Sequence, residues 1–328
     1  MTSPAPPGAP PASPRVVGPD AAGESTRTVV VAFAANLLVA VAKSFAAVVT
    51  GSASMVAEAV HSWADTGNEV FLLVADRRAR RPADRAHPLG SGREAYVWSM
   101  FAAIGLFAVG AGVSITHGIQ ELVDPQPADS FAVAYAVLAL AFVLEGVSFL
   151  RAVRQVRAEA RAAEHEVLQH VLVTSDPTLR AVFAEDAAAL AGLLVAFGGV
   201  LAHQLTGSPV PDAVGSIVVG VVLAVVSVVL IDRNRRFLVG EGARPETRAA
   251  VLRGLLALPD VDRVTYLRLE YVGPRSLYLV ASVDLVGDEV ESSVARRLDE
   301  LERRVAQVPA IAGAVFTVST PEEPALRP

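Results

Sequence analysis

A bundle of membrane-crossing helices followed by a small soluble α+β domain is the fold class this sequence predicts, on three observations. The chain is 52% hydrophobic with only 19% charged residues and a mean hydropathy of +0.45, whereas soluble domains carry about 25% charge. Six apolar stretches are each long enough to cross a hydrocarbon core of roughly 30 Å, which takes about 20 helical residues. After about residue 240 the pattern turns to short alternating and amphipathic segments typical of a soluble fold.

In chain order, residues 1–26 are rich in Pro, Ala, Gly and Ser without apolar periodicity and read as a disordered tail. The first apolar run continues too long for a cleavable signal segment, so it is expected to be the first span. The six spans fall near 28–50, 53–76, 94–119, 130–151, 177–203 and 210–231, within a membrane domain of residues 27–236. Arginines cluster in alternate connections: Arg77, Arg78, Arg80, Arg81 and Arg85 between the second and third spans, Arg151, Arg154, Arg157 and Arg161 after the fourth, and Arg233, Arg235 and Arg236 after the sixth. By the positive-inside rule this places both termini in the cytoplasm. The expected setting is a multi-pass protein of a bacterial plasma membrane.

The soluble part, residues 237–320, reads helix (Pro245–Leu256), strand (Arg263–Val272), strand (Leu277–Leu285), helix (Val290–Val308) and strand (Gly313–Ser319). An α-β-β-α-β order with antiparallel pairing predicts a ferredoxin-like sheet with helices on one face. A domain of that size has a small core and gains from pairing with a copy of itself, so a homodimer is expected. Residues 321–328 are expected to be a tail.

The second span carries the chemistry. Glu58, His61, Asp65 and Asn68 are spaced three, four and three residues apart, which puts them on one stripe of a helix. Ionisable groups at membrane depth are costly and usually face a partner or a water-filled path. With no cysteine in the chain, a metal site must be built from carboxylate, imidazole, amide and water. Asp65 lies roughly 18 Å into the second span and Asp186 about 14 Å into the fifth from the opposite side, so both reach the midplane. Two unneutralised carboxylates there repel strongly and need protons or a cation. His61, Asp65 and Asp186 with water are therefore expected to ligate a metal ion, the bland alternative being hydrogen-bond anchors of the bundle. Asn68 reads equally as a ligand or as a helix–helix hydrogen bond. Glu185 lies about 100° round the helix from Asp186, which suits support of the ligands, proton carriage or a bond to another span.

Lys43, the only lysine, lies at a depth similar to Glu58 and is expected to neutralise it. Glu145 has no evident basic partner within the membrane, and reads equally as a proton relay, part of an inner vestibule or a group that reaches the interface. His165 and His170 are expected to be solvated. No nucleophile–base pair and no His-Glu-x-x-His motif points to a hydrolase, so no enzyme activity is expected, nor any resident cofactor or nucleic-acid partner.

The run Thr50-Gly51-Ser52-Ala53-Ser54-Met55-Val56-Ala57-Glu58-Ala59-Val60-His61-Ser62-Trp63-Ala64-Asp65 resembles the second-span signature of the cation diffusion facilitators. His87-Pro88-Leu89-Gly90-Ser91-Gly92-Arg93-Glu94 resembles their loop before the third span. Asp176-Pro177-Thr178 with Glu185-Asp186, and Asp212 with Ser216 and Gly220, are similar to the branch related to zinc transporter nine. The resemblance implies a dimeric six-span exporter that exchanges a divalent cation, zinc first, for protons. It implies His61, Asp65 and Asp186 as ligands, with Asn68 or Glu185 beside them. One departure is Val182, where many zinc-selective members carry a His four residues before the fifth-span Asp. That leaves manganese, iron, cobalt and cadmium as alternative cargo, because imidazole favours borderline metals and oxygen donors suit harder ones. It also leaves a transport-inactive scaffold as a second reading. Residues 240–320 hold no His or Cys, so no tight zinc site is expected in the soluble domain.

Overall fold

The computed structural model describes residues 26–125, 130–162 and 166–328; the expected N-terminal tail and His165 lie outside them. The helical part comprises α1 (Thr26–Thr50), α2 (Ala53–Ala79), α3 (Glu94–Gly105), α4 (Gly112–Val123), α5 (Phe131–Ala162), α6 (Val167–Val173), α7 (Pro177–Thr206) and α8 (Val210–Val239). The stretches Glu94–Val123, Phe131–Arg161, Pro177–Thr206 and Val210–Val239 are each long and apolar enough to cross a membrane. In α1 the apolar stretch is Asn36–Thr50. α2, at 27 residues, has the length but is diluted by its polar stripe.

The helix ends follow local chemistry. Gly51, at φ 64°, makes the left-handed turn between α1 and α2 that a side chain would resist. Ser52 caps α2 by accepting from the Met55 N–H. Asp176 caps α7 through the N–H groups of Thr178 and Leu179, with Pro177 in the first turn. α7 ends at Gly207, again left-handed.

Two features of the spans go beyond what the apolar runs alone describe. The third is not one regular helix: residues Leu106–Ala111 form a π-helical segment between α3 and α4, a local widening that keeps Gly110 packed against Leu223. The arginine-rich connection after the fourth span is largely helical, because α5 runs on to Ala162 and α6 follows. His170 on α6 is buried rather than solvated, its Nε2 3.5 Å from Glu159 Oε2.

The C-terminal elements are α9 (Pro245–Leu256), β1 (Val261–Gly273), β2 (Ser276–Leu285), α10 (Glu291–Val305) and β3 (Ile311–Val318). The element order is as expected, but β3 runs parallel to β2 while β1 and β2 are antiparallel, in the order β1-β2-β3. The reason is the α10 crossover, which returns the chain in the direction of β2. A full ferredoxin-like pattern has four strands; three are present among the described residues, and the outer edge of β1 is met by a single bridge from Gly242 to Glu270. Along β2, Leu277, Leu279, Ala281, Val283 and Leu285 alternate inward and pack with Leu252 and Leu255 of α9 and Leu301 and Val305 of α10. Leu326 joins this core, and its N–H donates to Val264 O at 2.8 Å, so the last residues lie along β1.

The β1–β2 turn docks on the bundle. Gly92 and Gly273 touch backbone to backbone, so closely that a Cβ on Gly92 would lie 2.6 Å from Val272 O. Arg275 donates its backbone N–H to Ser175 Oγ and pairs with Glu159 at 3.0 Å and Asp176 at 3.3 Å. Arg93 reaches Glu270 at 2.5 Å. The soluble domain therefore sits at the arginine-rich end of the helices.

Candidate functional site

α2 and α7 are pinned together by polar groups. Asn68 donates its amide to both carboxylate oxygens of Glu185, and both residues are buried. Two turns back along α2, His61 is fully buried with Nε2 3.2 Å from Asp65 Oδ2. On α7, Asp186 accepts from Ser148 Oγ of α5 at 2.9 Å. Asp65, Glu185 and Asp186 all line one cavity of about 350 Å³, which continues past Glu69 and Glu145 to Arg151 at the arginine-rich end. Asp65 Oδ1, Asn68 Oδ1, Glu69 Oε2 and Glu145 Oε2 have no hydrogen-bond partner among the described residues. The wall is thus rich in oxygen acceptors that the protein itself does not satisfy, a costly condition unless protons, water or a cation supply the missing partner.

The expected ligands are only partly assembled. His61 and Asp65 adjoin, and Asp65, Glu185 and Asp186 share the cavity. Yet no group of three or more His, Asp or Glu side chains lies close enough to hold a metal ion among the described residues. Glu185 makes a bond to another span, one of the roles its offset from Asp186 suggested. The cavity lies where α7 meets two neighbours, so Glu185 turns toward α2 and Asp186 toward α5, and the 100° between them spans its wall. Val182 is in the same wall, so the position of the missing histidine faces the site as an apolar surface.

Lys43 does meet Glu58, at 2.9 Å, as expected. Glu145 is not without a basic partner: Lys43 Nζ also lies 2.7 Å from Glu145 Oε1. Sequence reasoning missed Asn36, Glu69, Ser148 and Arg151, which also line the cavity, Asn36 donating to Glu69 Oε1 at 2.5 Å. Periodicity held the signal: Glu69 is four residues past Asp65, and Glu145, Ser148 and Arg151 follow at spacings of three on α5.

At the opposite end of α2 the polar groups are closed. Asp212 of α8 accepts from Ser52 Oγ at 3.0 Å, Ala53 N at 2.8 Å and Ser54 N at 3.4 Å, and Ser54 Oγ donates back to Asp212 O at 2.8 Å. Ser216 Oγ donates to Ser114 O at 2.8 Å. Gly118 and Gly220 let α4 and α8 cross closely there, since a Cβ on either would lie within 3 Å of Ile217 or Ile115.

A helical membrane bundle with an acid-lined cavity among four of its helices, closed at one end and capped by a soluble domain at the other, has the build of a transport protein. Residues 29–239 match the family described as the cation efflux transmembrane domain, and the chain belongs to that family, whose members are transporters and not enzymes. Metal tolerance protein C4 of Arabidopsis thaliana is 35% identical over 273 residues, 83% of this chain and 60% of its own length. The mitochondrial proton-coupled zinc antiporters SLC30A9 of Xenopus laevis and Homo sapiens are 36% and 34% identical over 83% of this chain, and over 49% and 48% of theirs. The chain thus spans about half to three-fifths of the length of these relatives.

Proposed function

We propose that the protein exports a divalent cation, zinc first, in exchange for protons, as a homodimer of six-span protomers with both termini in the cytoplasm. One observation carries the reading: Asp65, Glu185 and Asp186 share a cavity inside the helical bundle, on whose wall Asp65, Glu69 and Glu145 each keep a carboxylate oxygen that the described residues do not satisfy. Lone carboxylates in such a place repel one another and hold protons, and a cation entering among them displaces those protons. The cation enters from the arginine-rich end and is ligated by His61, Asp65 and Asp186, with Asn68 or Glu185 completing the shell. Rocking of α2 against α7 gathers these groups round it and then exposes them on the other side, where protons help to release it. The names of the zinc antiporters support zinc and proton coupling; Val182 weighs toward a harder ion such as manganese.

The test is cation-driven proton movement in proteoliposomes. Asp65→Ala and Asp186→Ala are each expected to lower the exchange rate more than tenfold while the purified proteins stay folded. Normal exchange by either variant would remove that residue from the site. A scaffold that does not transport is favoured instead by the absence of a close ligand cluster among the described residues. It predicts that zinc, cobalt and manganese all fail to raise the melting temperature of the wild type.

A further inference from the structure

Buried ion pairs usually balance their charges, and the cluster round Lys43 does not. Two carboxylates, Glu58 at 2.9 Å and Glu145 at 2.7 Å, share one ammonium. The side chains of Lys43 and Glu58 are 1% and 0% exposed, and that of Glu145 is 16% exposed. Fully ionised, the triad carries one net negative charge inside the bundle. Glu58 Oε1 and Glu145 Oε2 have no hydrogen-bond partner among the described residues. Glu58 Oε1 faces α7 at Gly192, where there is no side chain to donate to it; a Cβ there would lie 2.5 Å away.

Other charges near the triad do not restore the balance. From α2, His61 lies one turn from Glu58 and is paired with Asp65. Across the cavity from Glu145 stand Asp65, Glu69, Glu185 and Asp186, all acidic, with Arg151 at the far end of the wall. An uncompensated charge in such a place is costly, and one proton on either carboxyl group removes it.

We propose that Lys43, Glu58 and Glu145 form a proton-binding site of the exchanger, separate from the cation ligands. The site holds one proton while the cavity is without a cation and gives it up when a divalent cation enters. The inference rests on the exchange reading above. Glu145 is the member on the cavity wall, so it is the exit: one O–H bond breaks, the proton passes to cavity water, and the triad goes from neutral to one negative charge. The arriving cation offsets that charge. When the cation leaves, a proton from water re-forms the O–H bond and restores the neutral triad.

The experiment compares protons moved per cation in proteoliposomes carrying a pH-sensitive dye inside, with zinc as the probe. Glu58→Gln and Glu145→Gln each leave one ammonium and one carboxylate, a neutral pair with no proton to exchange. Each is expected to move one proton fewer per zinc than the wild type. The double variant Lys43→Gln, Glu58→Gln leaves Glu145 alone and able to keep its proton, so its ratio is expected to match the wild type. A purely structural triad would make the double variant the worst of the three and leave the ratios unchanged. Unchanged ratios in the single variants, with a coupled wild type, overturn the triad alone. A wild type that moves zinc without protons, or moves no zinc, overturns the exchange reading and this inference with it.

Discussion

The two ends of α2 treat their polar groups in opposite ways. At its N-terminal end, Ser52, Ala53 and Ser54 are all satisfied by Asp212, and α4 and α8 close over that end through glycines. About three to five turns further on, Asp65, Asn68 and Glu69 each keep an oxygen without a partner among the described residues, beside a cavity. The same helix is therefore fastened at one end and left chemically unfinished toward the other. A polar group buried for stability is hydrogen-bonded to its neighbours; one kept for a ligand is left short. On this ground we read Asp212 as a structural carboxylate and propose Asp65 as a functional one, although both are acids inside the bundle.

The contrast predicts different kinds of damage. The largest effect is on transport, with Asp65→Ala abolishing exchange at little cost in stability, because its partners are few. Asp212→Ala does the reverse. It leaves two backbone N–H groups and a hydroxyl unpaired at the start of α2, and each buried unsatisfied group costs about 1–3 kcal/mol. Its melting temperature is expected to fall well below that of Asp65→Ala, with transport per folded molecule retained. If Asp212→Ala were as stable as the wild type, the distinction between the two ends would collapse.

A milder break acts on the same closed end. Gly220→Ala places a Cβ 2.6 Å from Ile115 Cγ1 and 3.1 Å from Ala111 O. Because the second contact is backbone, the side chain alone cannot relieve it, and overpacking of this sort costs about 1–3 kcal/mol. Gly105→Ala meets nothing within 4 Å and is the control. Thermal unfolding in detergent is expected to rank Gly220→Ala below both Gly105→Ala and the wild type.

How much of this was legible in the sequence follows from which interactions are local. Helix and strand positions in the soluble domain were readable, because alternation in Leu277–Leu285 and the Gly273-Pro274 turn are local signals. The direction of β3 was not, since it depends on the α10 crossover. In the bundle, spacing along one helix revealed His61 with Asp65, and depth arithmetic brought Asp65 and Asp186 to one level. Pairings across helices were only partly visible: a lone lysine and a nearby glutamate suggested Lys43–Glu58, but Glu145 as a second partner needs the packing of α5 against α1. The bond of Asn68 to Glu185 likewise depends on how α2 and α7 are rotated, which no one-helix pattern encodes.

The smallest effect lies at the arginine-rich end, beyond both ends of the contrast, in the loop that leads into α3. Asp84 Oδ1 accepts from the backbone N–H of His87 at 2.6 Å and of Ala86 at 2.8 Å. The His87 N–H chiefly holds the Asp84 carboxyl below the usual carboxylate range. A carboxyl group shifted down on folding stabilises its loop above its unfolded pKa, near 3.9, and that contribution is lost as pH falls through the lower folded value. Asp84 is exposed, so the effect stays within the loop. Hydrogen exchange at Ala86 and His87 is expected to accelerate in Asp84→Ala at neutral pH, while exchange in α2 and α7 is unchanged. Faster exchange in α7 as well would mean that this loop, next to the Gly92–Gly273 contact, helps to hold the soluble domain on the helices that frame the cavity, and the division between a fastened and an open end of α2 would have to include it.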